Sequence, residues 1–530
     1  MAKSRSYIYR ISLIVALGGF LMGFDASVIS GVVKFIELDF DLSKLQLGWA
    51  VSSLTLTSTL AMLISGPLSD RYGRRVVLRT AAILYGISAV GSALAPNYAF
   101  LVTARMIGGF GVGASLITAP MYIAEISPAR VRGTMVSFNQ LNIVLGISVA
   151  FFTNYLILRL GDNPSAWVSY LGIDEYNWRW MLGLETLPAV LYFLFLLVVP
   201  ESPRWLAVKG REQEAQIILE RVTDRVRAQK VLEAIKDNLE KDKERKSISL
   251  KELFKPALRL VLVIGIVIAI TQQITGINAV FFYAPMIFEQ TGIGTNASFS
   301  QAIFVGLTNF VFTILAMWLI DRLGRKFLLV IGLSGIIFFM GLLSLGFAKA
   351  NYILDAEDVK VLKEKIDSPH WYKIQDINYD SDLSYKKAVS RTLGDEVLVK
   401  YQTDLITRAI DINPWLILIG ILGFVASFAV SIGPVMWVLF SELFPNWIRG
   451  VAISFVGFIN SGVSFLVQLV FPWELANLGN SMTFLVFGAF GAVGLVFILL
   501  ILPETKGKTL EELEVILAKK NLKYNNHAKI

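Results

Sequence analysis

The sequence predicts an all-α membrane protein, with twelve transmembrane helices arranged as two pseudo-symmetric six-helix bundles. Three observations carry that prediction. Of 530 residues, 55% are hydrophobic and only 17% charged, with a mean hydropathy of +0.61. A soluble domain carries about 25% charged residues, so too few remain here to cover a water-facing surface. Twelve stretches reach the length of roughly 20 apolar residues that crosses a hydrocarbon core of about 30 Å. Two charged strings also recur in the same order. Gly66-Pro67-Leu68-Ser69-Asp70-Arg71-Tyr72-Gly73-Arg74-Arg75 is echoed by Leu319-Ile320-Asp321-Arg322-Leu323-Gly324-Arg325-Lys326. Glu125, with Arg132-Gly133 seven residues on, is echoed by Glu442 with Arg449-Gly450 at the same spacing.

In chain order the expected spans are 8–32, 45–68, 76–96, 99–123, 134–158 and 177–199, then 258–289, 298–320, 326–348, 412–440, 447–473 and 480–502. Several are Gly-rich, which membrane helices tolerate and which permits close packing. The first span is longer than a secretory h-region and holds an acidic residue, so it reads as a permanent span and not as a cleaved leader. Each repeated string falls between two spans. Paired halves in a membrane are the usual architecture of a substrate transporter.

The net charge of +8 is a topology signal. Arg71, Arg74, Arg75, Arg130, Arg132, Arg322, Arg325, Lys326 and Arg449 lie in alternate short loops, on one side. The positive-inside rule makes that side the cytoplasm and puts both termini there, with no call for a nucleic-acid partner. With no cysteine in the chain there is no disulfide, thiol catalysis or thiolate metal site, and His370 and His527 lie in loops or tails. Neither a metal nor a cofactor is expected. No nucleotide-binding Gly-Lys-Thr loop and no nucleophile–base pair is legible, so an enzyme or ATP-driven pump is not expected.

The expected organisation is an N-terminal six-helix bundle (1–199), a cytoplasmic linker of short amphipathic helices (200–257), a C-terminal six-helix bundle (258–502) and a cytoplasmic tail (503–530). The repeats place an insertion. Asp70 and Asp321 are 251 positions apart but Glu125 and Glu442 are 317 apart, so the second half holds 66 further residues. They are assigned to 349–411, a polar segment on the outer side, either a small cap or a partly ordered loop. A proline stop closes each half, in Pro200-Glu201-Ser202-Pro203-Arg204-Trp205 and Pro503-Glu504-Thr505-Lys506-Gly507. The spacing of Leu and Ile over 509–519 predicts a surface helix in the tail.

Polar groups inside spans are costly and therefore informative. Asp25 lies two thirds along span one, where a carboxylate that gains and loses a proton can couple protonation to conformation. Glu185 in span six is a further such group. Gln272, Gln273 and Asn278 crowd span seven. On an unbroken helix Gln273 and Asn278 point about 140° apart, but Gly276 between them permits a break that turns both inward. Amides suit sugars, since each offers donors and an acceptor to hydroxyls that do both. Gln140, Asn309 and Asn460 add amides in spans five, eight and eleven, where helix-to-helix hydrogen bonds are the competing explanation. Gly433-Pro434 is expected to break or bend span ten. The charged loop residues Asp70, Arg71, Arg74, Glu125, Arg132 and Glu201 can pair across helix ends. Asp321, Arg322, Arg325, Glu442, Arg449 and Glu504 can do the same in the second half. Topology alone explains the positive charges but not acidic partners recurring at fixed spacing.

Several strings together resemble the sugar porters of the major facilitator superfamily, over nearly the whole length apart from 349–411. They are Gly23-Phe24-Asp25-Ala26-Ser27-Val28-Ile29-Ser30-Gly31, both Asp-Arg-x-Gly-Arg loops, Pro200-Glu201-Ser202-Pro203-Arg204-Trp205-Leu206, Gln272-Gln273-Ile274-Thr275-Gly276-Ile277-Asn278, and Pro503-Glu504-Thr505-Lys506-Gly507. The string Trp437-Val438-Leu439-Phe440-Ser441-Glu442-Leu443-Phe444-Pro445-Asn446 points to the bacterial proton-coupled members. The resemblance implies the major facilitator fold and proton symport of a monosaccharide, a xylose-like pentose or a hexose, by alternating access. It implies that Asp25 carries the proton with Arg105 on span four as its partner, Glu185 joining the network. It implies that Gln140, Gln272, Gln273, Asn278, Tyr283, Asn309, Trp437 and Asn460 face the sugar, the Trp437 indole suiting the C–H face of a pyranose. The charged loops become gating networks.

This sequence departs from the pattern in two places: Ser461 stands where Trp is usual after the amide at Asn460, and Phe282 replaces the first Tyr of a Tyr-Tyr pair. A specific sugar therefore does not transfer. A facilitative uniporter, a polyol or inositol carrier and a non-transporting sugar sensor remain alternatives, the last expected to have a long signalling extension where this tail is short. The partners expected are the sugar, a proton and the lipid bilayer. A monomer in a bacterial inner membrane is the default.

Overall fold

A computed structural model of the chain describes residues 2–128, 131–244, 250–445, 447–507 and 512. Among these, twelve helices are long and apolar enough to cross a membrane. In the first half they are Ser6–Asp39, Lys44–Tyr72, Arg74–Ala93, Tyr98–Ile126, Gly133–Gly161 and Asn177–Leu197. In the second half they are Arg259–Glu289, Thr295–Leu323, Arg325–Ala348, Pro414–Leu443, Arg449–Asn477 and Gly479–Ile501. They fall where the apolar stretches predicted them, because a helix satisfies every backbone N–H and C=O within itself where no water is available.

Local chemistry sets the ends. Spans two and three, and again eight and nine, are separated by a single residue, Gly73 (φ 101°) and Gly324 (φ 96°). Positive φ suits glycine alone at so tight a corner. Asn97 caps span four by accepting the Phe100 N–H at 3.0 Å, and Asn413 caps span ten by accepting the Trp415 N–H at 3.0 Å. Between the halves, Pro203–Val208, Glu212–Val222 and Arg225–Glu244 are the short helices expected of the linker. Residues 509–511 and 513–519, the expected tail helix, lie outside the described residues.

Span six is interrupted at Leu184-Glu185, between Asn177–Gly183 and Thr186–Leu197, and spans seven and ten are broken more sharply. Span seven consists of Arg259–Ile274 and Ile277–Glu289, parted at Thr275 and at Gly276 with φ 90°. A Cβ on Gly276 would lie 2.5 Å from Cδ2 of Phe487. Span ten consists of Pro414–Val430 and Ile432–Leu443. Its break falls at Ser431 (φ −128°, ψ −105°), two residues before the expected Gly433-Pro434. Pro434 instead sits in the first turn of the second piece, where a missing N–H costs no intrahelical bond.

The chain forms two compact units, one of residues 1–29, 53–153 and 165–249, the other of 30–52, 154–164 and 250–530. The first unit is packed around Tyr85, Tyr122, Tyr192 and neighbouring aliphatic side chains. In the second, the inserted segment is a folded module. A two-stranded antiparallel ribbon (Asn351–Tyr352 with Ile410–Asp411) forms its base, and helices Ala356–Lys363, Asp382–Leu393 and Asp395–Ala409 close it. It has its own buried core, which includes Tyr352, Trp371, Tyr385 and Leu405.

Candidate functional site

In the first unit, Asp25 and Arg105 are both buried, with Arg105 Nη1 3.4 Å from Asp25 Oδ1. The second Asp25 oxygen has no hydrogen-bond partner among the described residues. A Cβ built on Gly108 would lie 3.1 Å from that oxygen and 2.4 Å from Ser88 Oγ, so Asp25 packs directly against span four and faces the span-three hydroxyl. Glu185 sits at the joint between helices Asn177–Gly183 and Thr186–Leu197, buried, with Oε1 unpartnered among the described residues and with Asp25 and Arg105 as the charges acting on it. Tyr85, Ser115 and Tyr192 complete these surroundings. Two carboxylates around one guanidinium sum to one negative charge unless a proton is held, and an unbalanced charge away from water is costly.

In the second unit, the break at Gly276 brings the span-seven amides together. Gln273 Nε2 donates to Gln272 Oε1 and to Asn460 Oδ1, each at 3.2 Å, and Asn278 Nδ2 donates to Gln273 Oε1 at 2.9 Å. Asn460 Nδ2 donates to Gln272 Oε1 at 2.8 Å and to the Ala269 carbonyl at 2.9 Å. Gln272 Nε2 reaches the carbonyls of Ile432 (3.3 Å) and Gly433 (3.1 Å), at the break in span ten. Two further polar side chains extend the network along span eleven. Asn278 donates to Ser464 Oγ at 2.6 Å, and Gln468 Nε2 donates to the same oxygen at 2.8 Å. Tyr283 donates its hydroxyl to the Gln468 carbonyl at 2.9 Å. Asn460, Ser464 and Gln468 stand four residues apart, so one helix face carries them all. That i, i+4, i+8 spacing was the signal available in the sequence for Ser464 and Gln468.

The remaining expected residues make no hydrogen bond to this network among the described residues. Trp437 is 44% exposed, with its ring edge-on to Phe440 at 6.0 Å between centroids. Asn309 is buried on span eight but makes no hydrogen bond to the amide network, and Gln140 is exposed on span five.

The charged loops form two networks of the same design. Arg74 grips Glu125 with two bonds of 3.0 Å and pairs with Asp70 at 2.9 Å. Ser202 Oγ donates to Glu125 Oε2 at 2.5 Å, while Glu201 accepts the backbone N–H groups of Arg74 and Arg75 at the start of span three. In the other unit Arg325 pairs with Glu442 at 2.8 Å and Asp321 at 3.0 Å. Thr505 donates to Glu442 at 2.6 Å, and Glu504 accepts the N–H groups of Arg325 and Lys326 at the start of span nine. A carboxylate at a helix N-terminus meets both free donors and the positive end of the dipole.

The two anchors differ in burial. Burial pushes the Glu201 carboxyl above the usual range despite its backbone donors. Burial also acts on Glu504, but four backbone N–H groups outweigh it and hold that carboxyl below the usual range. Among the described residues, the expected Arg71, Arg322 and Arg449 make other contacts than a carboxylate pair. Arg71 lies over Tyr72 at 5.1 Å, Arg322 over Trp318 at 3.9 Å, and Arg449 donates to the Phe444 carbonyl at 3.1 Å. The Arg132 side chain lies outside the described residues.

Broken spans at buried amides, a buried carboxylate pair with an arginine, and duplicated charged loops define a secondary transporter. The family model described as "Sugar (and other) transporter" matches residues 11–359 and 397–517, and the chain belongs to that family, the sugar porters of the major facilitator superfamily. It is therefore a multi-pass membrane protein. It is similar to the arabinose-proton symporter of Bacillus subtilis strain 168, at 36% identity over 97% of this chain and 96% of the relative. It is also similar to the D-xylose-proton symporter of Escherichia coli K12, at 34% identity over 96% of each chain. The solved inward open conformation of the xylose transporter XylE from E. coli covers 96% of this chain and all of its own, with a TM-score of 0.72 and 32% identity.

Proposed function

We propose that this protein couples inward movement of a proton to uptake of a monosaccharide, a pentose such as xylose or arabinose or a related hexose. It would work as a monomer in a bacterial inner membrane with both termini cytoplasmic. The observation that carries the reading is the buried trio of Asp25, Arg105 and Glu185, in a chain aligned end to end with proton symporters of arabinose and xylose. A proton on Asp25 removes the charge that holds Arg105 and frees the guanidinium to turn toward Glu185. The pairing within span one and span four then differs between the protonated and unprotonated states, which is the differential interaction that coupling requires.

The sugar is proposed to bind at the amides. Gln272, Gln273, Asn278 and Asn460 hold one another in place, so their remaining donors and acceptors meet hydroxyls without first paying for side-chain ordering. Tyr283, Trp437, Asn309 and Gln140 are proposed as further contacts. The Arg74 and Arg325 networks are proposed to fasten span ends at the cytoplasmic side, through Asp70, Glu125, Asp321 and Glu442, with Arg71, Arg132, Arg322 and Arg449 flanking them.

The test is uptake of labelled xylose, arabinose, glucose, galactose and inositol into proteoliposomes, with and without an inward proton gradient, beside Asp25→Asn. Gradient-dependent accumulation that the variant loses, while sugar exchange survives, is the expected result. Equilibration that ignores both gradient and variant would make the protein a facilitator with Asp25 as a fixed partner of Arg105.

A further inference from the structure

The half-helix Ile277–Glu289 carries Asn278 in its first turn and Tyr283 at a kink with φ −128°. The break at Thr275-Gly276 cuts it from the preceding helix, so its position depends on what holds its other end. Several groups converge there. Glu289 accepts Lys34 Nζ at 2.9 Å on Oε1 and Thr403 Oγ1 at 3.2 Å on Oε2. Lys34 also donates to Thr295 Oγ1 at 2.6 Å. Lys386 Nζ donates to Gln290 Oε1 at 2.9 Å and lies 3.4 Å from Asp382, which also accepts the Asn480 N–H at 3.4 Å, at the start of span twelve. A Cβ on Gly292 would meet Ile410 at 2.5 Å and the backbone of Thr407 at 3.3 Å, so the residues after the half-helix also rest on the inserted module.

Thr403, Thr407 and Ile410 belong to the last helix and strand of the insertion, and Lys386 and Asp382 to the helix before it. Those elements are fixed by the module's own core, in which Tyr385 donates to the Leu405 carbonyl at 3.0 Å and stacks on Tyr352. The module is thus independently packed and grips the half-helix from outside. The match to the family leaves residues 360–396 uncovered, which includes all of helix Asp382–Leu393. The Lys386 side of the grip lies in that uncovered stretch, whereas Thr403, Thr407 and Ile410 lie in the matched residues 397–517.

We infer that helices Asp382–Leu393 and Asp395–Ala409 act as a brace that sets the position of half-helix Ile277–Glu289, with Thr403 and Lys386 as positioning residues for sugar binding at Asn278. The sugar-binding part of this inference rests on the proposed function. Neither residue touches the amide network. Each acts through Glu289 or Gln290, eleven and twelve residues beyond Asn278, about 16–18 Å along a helix.

The experiment compares wild type with Thr403→Val, Lys386→Met, their combination, and the conservative pair Thr403→Ser and Lys386→Arg, all in the full chain. Two quantities are read. The first is the apparent KM and maximal rate of sugar uptake in proteoliposomes. A rise in KM of about tenfold in the double variant, at unchanged maximal rate and recovered by the conservative pair, is expected for loss of two charge-assisted bonds acting through position. The second is amide hydrogen exchange in nanodiscs without sugar. Faster exchange over 277–290, with Arg325–Ala348 unchanged, is expected. An unchanged KM, or a fall in maximal rate alone, would overturn the link to sugar binding. Unchanged exchange over 277–290 would overturn the brace. If wild type transports no sugar, the proposed function falls and the exchange measurement still decides the brace.

Discussion

Replacing Asn460 by Leu tests whether the amide network serves the sugar or only fastens helices. Leucine nearly matches asparagine in shape but can neither donate nor accept. Three bonds to oxygen and amide partners disappear, those to Gln272 Oε1 (2.8 Å) and the Ala269 carbonyl (2.9 Å) and that from Gln273 Nε2 (3.2 Å), together with a weak one to Met436 Sδ (3.6 Å). The loss is smaller than three full bonds. The Ala269 carbonyl keeps its place in the helix Arg259–Ile274, and Gln272 Oε1 still accepts Gln273 Nε2 at 3.2 Å. One buried amide group left short of a partner costs about 1–3 kcal/mol. If that energy held Gln272 and Gln273 ready for hydroxyls, affinity falls roughly 5- to 150-fold, since about 1.4 kcal/mol is tenfold. The assay is equilibrium binding of the transported sugar to purified protein, beside the midpoint of thermal unfolding. An unchanged affinity with a lowered midpoint would refute the reasoning and leave Asn460 as helix glue.

Gly276→Ala places a side chain at φ 90° and 2.5 Å from the Phe487 ring. The backbone alone costs about 1–2 kcal/mol. Transport should fall with thermal stability, Phe487→Ala should restore part of both, and a fully active Gly276→Ala would contradict the break as drawn. Glu504→Gln should lower stability at neutral pH. Because the Glu504 carboxyl is held below the usual range, its contribution is present above the ordinary carboxylate value and is lost as pH falls through the folded one. The gap between wild type and variant should therefore close in strong acid. For Glu201 the sign is reversed, since a raised carboxyl stabilises the fold below the ordinary value and loses that benefit as pH rises through the folded one. Glu201→Gln should be the milder variant at neutral pH, and a melting series across pH that ranks the two the other way would refute the difference in burial.

Much of the fold was legible because hydrophobic length is a local property. The twelve spans and the linker helices follow from composition, proline and charge read in short windows, whereas the one-residue corners at Gly73 and Gly324 appear only in the structure. The span-seven break was legible at Gly276, where two amides five residues apart needed one pocket. The span-ten break was not, because Gly433-Pro434 is the strongest local signal there while the chain turns at Ser431. Pro434 fits the first turn of a new helix as readily as it ends an old one, and nothing within a short window separates the two. Sequence spacing groups Arg71 and Arg322 with the ion pairs, yet their guanidinium groups lie over the rings of Tyr72 and Trp318. Ser464 and Gln468 meet span seven through Asn278 and Tyr283, partners that lie far away in the chain.

The twofold repeat, the membrane class and the buried Asp25 were therefore written in the order of residues alone. Apolar span length and the cost of a charge in hydrocarbon do not depend on which partner is near. The closing of the amide network, the opposite behaviour of Glu201 and Glu504 and the folding of the insertion onto Glu289 and Gln290 belong to three dimensions. Each depends on groups brought together from distant parts of the chain, Asn278 with Ser464 across 186 positions and Thr403 with Glu289 across 114. A hydrogen bond is decided by distances of a few tenths of an ångström that no local pattern encodes.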